Sequence, residues 1–356
     1  MKQVWIPRVG AAKVLEVREA PDPTPGPGEV RVAVAAAGVN FADIVARQGL
    51  YLDAPPAPFV PGYEVAGRVD AVGPGVTEPA LGARVVALTR FGGYSSRVCL
   101  PAAQAIGVPD DLSWPAAAAI PVVYLTAWHS LVTLGNLRAG ERVLLHAAAG
   151  GVGLAALQIC KLRGAGQILG TASASKHDAL RAMGLTDPID YRALDFEAEA
   201  RRLTGGAGVH LVLDAVGGRS FKKSYALLAH GGRLVCFGAS SITGQGGRSI
   251  FRVLAGLLSM PKFKPIDLMM SNRGVFGVNM LHMAERAPGV IAAQLGEIVE
   301  HVAAGRLTPT VDLVVPYDEA ARAHERLEGR GNVGKVVLDF SGAQAPVPLA
   351  GGPTRA

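Results

Sequence analysis

The run Ala147-Ala-Ala-Gly150-Gly151-Val-Gly153 follows an apolar strand pattern, Val143-Leu-Leu145, and opens a helical one. That order suits a dinucleotide pyrophosphate. Glycine lets the backbone come close, and a helix N-terminus offers unbonded N–H groups and the positive end of its dipole. Ala148 takes the first position of the glycine fingerprint, Gly150 and Gly153 the second and third, with Gly151 and Val152 between them. About 20 residues on, an acidic side chain would bind the ribose 2′-hydroxyl of NAD. Here the second strand ends Gly170-Thr-Ala-Ser173-Ala-Ser175-Lys176, and no carboxylate appears before Asp178. With Thr171 beside it, Ser173 offers a hydroxyl and Lys176 a cation to a 2′-phosphate dianion, and Tyr191 can close the pocket. This pattern predicts NADPH rather than NADH; the bland alternative is a solvated lysine and a helix-capping serine.

These residues need a frame. Up to about residue 110 the chain reads as strands and turns, with Val30–Val34, Val65–Val69 and Arg84–Leu88 separated by Pro/Gly clusters. From Thr126 apolar strands alternate with helical patterns: 142–146 with 153–163, 167–170 with 177–183, and 209–214 with 220–228, then 233–237. Such alternation builds a parallel sheet with crossover helices. After Val278 come a helix, a strand, a short helix and a final strand, Lys335–Leu338. The expected architecture is α/β, with a doubly wound domain over 121–285 inserted into a β-rich domain made from 1–120 and 286–342. Residues 343–356 are expected to be a flexible tail.

Composition narrows the class. The 356 residues include 35 Lys plus Arg against 29 Asp plus Glu, and 49% are hydrophobic while only 18% are charged, which excludes a disordered chain. Basic residues never run beyond a pair (Arg201-Arg202, Lys222-Lys223), so nucleic acid is not indicated. Cys99, Cys160 and Cys236 lie scattered in apolar segments and read as buried thiols in a reducing compartment. The N-terminus shows no apolar signal core, and the reading is cytoplasmic. Leu112–Leu137 carries no charged residue and is long enough to span a bilayer, but Pro115, Pro121, His129 and Asn136 favour a buried helix at a domain junction.

Together these features resemble a medium-chain dehydrogenase/reductase of the quinone oxidoreductase type, from Val4 to Phe340. The carrying segments are Gly38-Val-Asn40-Phe-Ala-Asp43, Arg47-Gln-Gly-Leu-Tyr51, Pro61-Gly62-Tyr-Glu64-Val-Ala-Gly67, Gly92-Gly-Tyr94-Ser, His146 to Gly153 and Asn332-Val-Gly-Lys335. Within the family, Gly170 to His177, Pro188-Ile-Asp-Tyr191 and Asn332 to Lys335 are most similar to vesicle amine transport protein homologues. The resemblance implies a GroES-like β-rich catalytic domain plus a Rossmann nucleotide-binding domain. It places Asn40 and Tyr51 beside the nicotinamide as the polar groups that contact a carbonyl, or that only shape the pocket while water supplies the proton. It adds Thr126, Phe237, Gly238, Ser240, Phe276, Val278 and Asn332 as cofactor contacts, and implies a homodimer.

Asn40 and Tyr63 stand where the zinc enzymes of this superfamily have a Cys and a His, and no cysteine lies near Thr126 to supply the third ligand. No metal site is therefore expected. Asp43 reads as a structural partner in its turn, Glu64 as a buried, paired carboxylate, and His129 and His146 as satisfied core histidines. The expected activity is zinc-independent, NADPH-dependent hydride transfer to a quinone or an α,β-unsaturated carbonyl. Two alternatives stand beside it. One is an enoyl-thioester reductase, weakened because Ser220 and Ser241 fall where its proton donors would be. The other is an NADPH-binding protein with little turnover, acting in membrane association or RNA binding. The segment Ile250–Asn272 reads as a lid, a buried helix or subunit contact, or a membrane contact.

Overall fold

The computed structural model describes residues 1–241, 256 and 258–343. Residues 344–356 and the sites Arg252, Leu254 and Leu257 of the 250–272 segment lie outside the described residues. The chain divides into two compact units. The first takes Met1–Leu125, Leu281–Gly305 and the described residues from Pro309 on; the second takes Thr126–Met280 and Arg306–Thr308.

The first unit is organised by an eleven-residue strand, Glu29–Val39. Its run of Val and Ala suits a surface buried on both faces. It pairs antiparallel with three strands, Lys335–Asp339, Glu64–Val72 and Arg97–Pro101. Further out, Val311–Pro316 lies parallel to Lys335–Asp339, and Arg84–Leu88 lies against Glu64–Val72. Val30, Val32, Val65, Val85, Val336, Leu338 and Phe340 pack into one core cluster. Close strand contact demands glycine at Gly67, where a Cβ would sit 2.1 Å from the Ala33 carbonyl oxygen.

Register determines which ends meet. Val39 pairs with Val336 and Ala37 with Val65, so Asn40, Lys335 and Glu64 gather at one end of three adjacent strands. The helix Phe41–Arg47 starts there, and Asp43 Oδ2 accepts from the Asn40 N–H at 2.8 Å, closing its first turn.

The second unit is a six-stranded parallel sheet. Its order is Asp187–Asp190, Gln167–Ala172, Arg142–Leu145, Val209–Asp214, Leu228–Cys236 and Gly274–Gly277. Numbered along the chain this is 3-2-1-4-5-6, the doubly wound Rossmann order, which changes direction between Arg142–Leu145 and Val209–Asp214. Helices Gly151–Leu162, His177–Ala182, Phe196–Leu203 and Arg219–Ala226 form the crossovers.

Two expectations need correcting. The uncharged stretch after Leu112 is not one helix: it breaks into Trp114–Ala118, Pro121–Trp128 and a π-helical turn, His129–Leu134. Pro121 has no N–H to continue the first helix, and so it opens the second. Among the described residues no helix is long and apolar enough to cross a membrane. Of the thiols, Cys160 is buried but Cys99 and Cys236 are half-buried.

Candidate active site

In the first unit the site is built around a buried cation. Lys335 Nζ lies 2.5 Å from both Glu64 Oε1 and Asn40 Oδ1, and the Lys335 and Glu64 side chains are 3% and 0% exposed. Asn40 Nδ2 donates to the same Glu64 oxygen at 2.8 Å, and the Val122 N–H donates to Glu64 Oε2 at 2.7 Å. An ammonium offers only donors and a carboxylate only acceptors, so this arrangement leaves one orientation for the Asn40 amide. Both ends of that amide are engaged; its second N–H points weakly to the Gly38 carbonyl at 3.4 Å. Gly38 must be glycine, since a Cβ there would meet Glu64 Oε1 at 2.2 Å.

Asn40's backbone is held by a second buried chain. Arg47 donates to His324 Nδ1 at 3.2 Å, and arginine cannot accept, so His324 carries its proton on Nε2. That nitrogen reaches the Tyr94 hydroxyl at 3.2 Å, and the hydroxyl donates to Asp43 Oδ2 at 3.2 Å. Asp43 Oδ1 accepts from the Gly62 N–H at 2.9 Å. Arg47 is also paired with Glu328. Burial pushes the Asp43 carboxyl up to about 7 against the pull of the Asn40 and Gly62 N–H groups and Lys335. Burial and then Arg47 push His324 down to about 3, so it is neutral.

Beside this lies an aromatic group. Tyr51 packs edge-on against Tyr63 with ring centres 6.1 Å apart, and Phe91 lies 5.1 Å from Tyr63. Burial first, then Asp53 and Asp43, push the Tyr51 phenol up to about 12. Tyr51 and Asn40 both belong to this unit but are not hydrogen-bonded to each other.

In the second unit the turn after Arg142–Leu145 is shaped as a phosphate cradle. Ala147 adopts φ 50°, a left-handed conformation, and Gly150 precedes the helix without a side-chain cap, which leaves its first N–H groups to a ligand. At Gly153 a Cβ would lie 2.5 Å from the Ala147 and Ala148 carbonyl oxygens, so helix and turn approach as closely as the fingerprint requires. Thr171 braces the turn rather than reaching outward: its Oγ1 accepts from the Ala147 N–H at 3.2 Å and its carbonyl accepts from the Ala148 N–H at 3.0 Å. His146 joins Thr171 at 3.2 Å and Ser224 at 3.0 Å, and Ser220 and Ser224 both donate to Asp214 at 2.7 Å. This polar core fixes the ends of the three strands that flank the cradle. His129 is also buried.

Ser173 Oγ lies 3.4 Å from Ser175 Oγ, Lys176 is partly exposed three residues on, and Tyr191 follows the strand Asp187–Asp190 and is exposed. Phe237, Gly238 and Ser240 follow the strand Leu228–Cys236; Phe276 lies in the neighbouring strand Gly274–Gly277 and Val278 just after it, its N–H donating to the Cys236 carbonyl at 2.9 Å. Thr126 is buried in the last turn of the helix Pro121–Trp128. Asn332 belongs to the first unit, and its amide donates to the Gly334 carbonyl at 2.8 Å. Lys335 is the residue that sequence reading left without a role. Its signal was a charged side chain heading the apolar strand Lys335-Val-Val-Leu338.

Two family models match this chain: the alcohol dehydrogenase GroES-like domain over residues 26–110 and the zinc-binding dehydrogenase model over 183–338. The chain belongs to the medium-chain dehydrogenase/reductase superfamily, and it is an oxidoreductase of that type. It is 38% identical to the human synaptic vesicle membrane protein VAT-1 homolog, over 91% of this chain and 82% of that protein. Escherichia coli quinone oxidoreductase, solved with NADPH, superposes with a TM-score of 0.83 at 30% identity, over 95% of this chain and 100% of that one. CurK enoyl reductase superposes with a TM-score of 0.82 at 30% identity, over 95% and 98%. The zinc that one family name implies does not suit the residues here. Asn40, Tyr63 and an ammonium supply none of the thiolate or imidazole ligands that zinc requires, and among the described residues no three His, Cys, Asp or Glu side chains converge.

Proposed function

We propose that this chain is an NADPH-dependent reductase of quinones or α,β-unsaturated carbonyls that works without zinc. The observation that carries the reading is the Lys335–Asn40–Glu64 cluster. Asn40, which the sequence resemblance puts where the zinc enzymes have a Cys, is hydrogen-bonded to a buried ammonium, and this supports an acceptor that is electrophilic without a Lewis acid. The whole-length likeness to a quinone oxidoreductase supports the same class.

Reduced nicotinamide, when bound, supplies a hydride. The protein's part is to hold and to orient. N–H groups of the helix Gly151–Leu162 bind the pyrophosphate, and Ser173, Lys176 and Tyr191 take the 2′-phosphate. Thr126, Phe237, Gly238, Ser240, Phe276, Val278 and Asn332 complete the cofactor contacts. Asn40, held at both ends, shapes the pocket. Tyr51 stays protonated through neutral pH and donates a hydrogen bond to the acceptor's oxygen. A hydride and a proton together convert a quinone to its hydroquinone, or add across the carbon–carbon double bond of an enone.

The likeness to CurK enoyl reductase supports a second reading, an enoyl-thioester acceptor. Against it, Ser220 is committed to Asp214 in the core. We also propose a homodimer through the second unit, where Gly274–Gly277 ends the sheet and Met269 and Met270 are exposed on the helix Pro265–Ser271 before it. Met260 and Phe263 of the same segment pack onto the core. NADPH oxidation by chelator-treated protein against quinones, enones and an enoyl thioester tests the reading. Tight NADPH binding with no turnover would favour a binding protein instead.

A further inference from the structure

Tyr63 is 6% exposed, and its hydroxyl has no hydrogen-bond partner among the described residues. A buried hydroxyl without a partner costs stability, so its presence calls for an explanation. The other buried phenol of this region, Tyr94, is bonded on both sides. Tyr63 is also held firmly. The Gly62 N–H before it donates to Asp43 at 2.9 Å, the Tyr63 carbonyl accepts from the Thr89 N–H at 2.8 Å, and Glu64 after it anchors Lys335. Its ring is flanked by Tyr51 at 73° and Phe91 at 52°, and Phe91 stacks edge-on to Phe59 at 5.7 Å. Burial raises the phenol's pKa far above its ordinary value, so the group remains a donor and never a base. Aromatic rings thus flank a phenol whose buried O–H has no partner among the described residues.

We propose that the Tyr63 hydroxyl donates a hydrogen bond to the acceptor's carbonyl oxygen, and that the substrate class read here is a flat aromatic carbonyl, a quinone. This rests on the reductase reading above. A quinone oxygen can only accept, and its ring offers faces and edges to Tyr51 and Phe91. A straight-chain enoyl thioester offers the oxygen without the ring. The donor strengthens as charge develops on the oxygen during hydride transfer.

Tyr63→Phe keeps the ring and removes only the O–H. Its melting temperature should be equal to or above that of the wild type, while kcat/KM for 1,4-naphthoquinone falls roughly 10- to 100-fold. The fall for a straight-chain enoyl thioester should be smaller. Unchanged kcat/KM for the quinone would mean that water satisfies the hydroxyl, and would overturn the proposal. An equal fall for both acceptors would overturn the quinone assignment. If the wild type reduces no acceptor, the parent reading fails separately. Naphthoquinone binding, followed by tryptophan fluorescence, then decides: weaker binding to Tyr63→Phe supports the donor, and equal or absent binding overturns it.

Discussion

Lys335 Nζ and Glu64 Oε1 lie 2.5 Å apart with both side chains almost completely buried, and Asn40 bonds to each of them. Burying two charges costs several kcal/mol in solvation, which the pair recovers through contact and its extra hydrogen bonds. Removing one partner strands the other. Lys335→Met should therefore destabilise the protein by about 3–5 kcal/mol, and adding Glu64→Gln to it should restore part of the loss. Urea unfolding of both single variants and the double variant checks this, and additive losses would show that the two charges are not coupled.

Lys176→Ala tests the cofactor assignment. Losing a charge-assisted contact of about 1.5–3 kcal/mol should weaken NADPH binding roughly 10- to 150-fold and leave NADH binding nearly unchanged. Titration of each nucleotide gives the ratio, and a ratio equal to the wild type's would remove Lys176 from the 2′-phosphate site.

Gly153→Ala acts on the cradle itself. The new Cβ would lie 2.5 Å from two carbonyl oxygens, so the helix must back away from the turn. Affinity for NADPH and NADH should fall together, by about tenfold or more, in contrast to the selective loss at Lys176. Calorimetric titration with both nucleotides distinguishes the two patterns.

The pair Asp43 and His324, joined through the Tyr94 hydroxyl, predicts a pH signature. Asp43 is raised from 3.8 to about 7, so the folded state holds its proton longer and stability falls as pH rises from about 4 to 7. His324 is lowered from 6.5 to about 3, so the folded state sheds its proton sooner and stability rises with pH between about 3 and 6.5. Arg47 and Lys335 are the other charges facing this pair. The two trends oppose each other over nearly the same window. His324→Gln should unmask the Asp43 trend and lose stability from pH 4 to 7, on the order of a few kcal/mol. Thermal melts across this range measure it, and a flat profile would contradict the raised Asp43 carboxyl.

Much of the framework was legible because it is local. Apolar runs such as Val209–Asp214, and the glycines that follow Val143–Leu145, announce strands and a phosphate turn within a dozen residues. The chemical contacts were not local. Lys335 and Asn40 are 295 positions apart, and Tyr94 and His324 are 230 apart; strand register brings the first pair together and core packing the second. Lys335 stood inside a quoted motif, but nothing in its own neighbourhood names Glu64 as its partner. Thr171 was read as a cofactor ligand because of where it falls on the second strand. The structure shows its hydroxyl committed to the turn's backbone.

The proposed activity is metal-independent reduction of a conjugated carbonyl by NADPH. It is tested most directly by steady-state NADPH oxidation with 1,4-naphthoquinone, using protein dialysed against a chelator, alongside the reverse assay with NADP⁺ and simple alcohols. Quinone-dependent oxidation that is unaffected by chelation, with no alcohol oxidation, is the expected result. Activity that appears only when zinc is restored, or NADPH bound tightly and never oxidised by any quinone or enone, would contradict it.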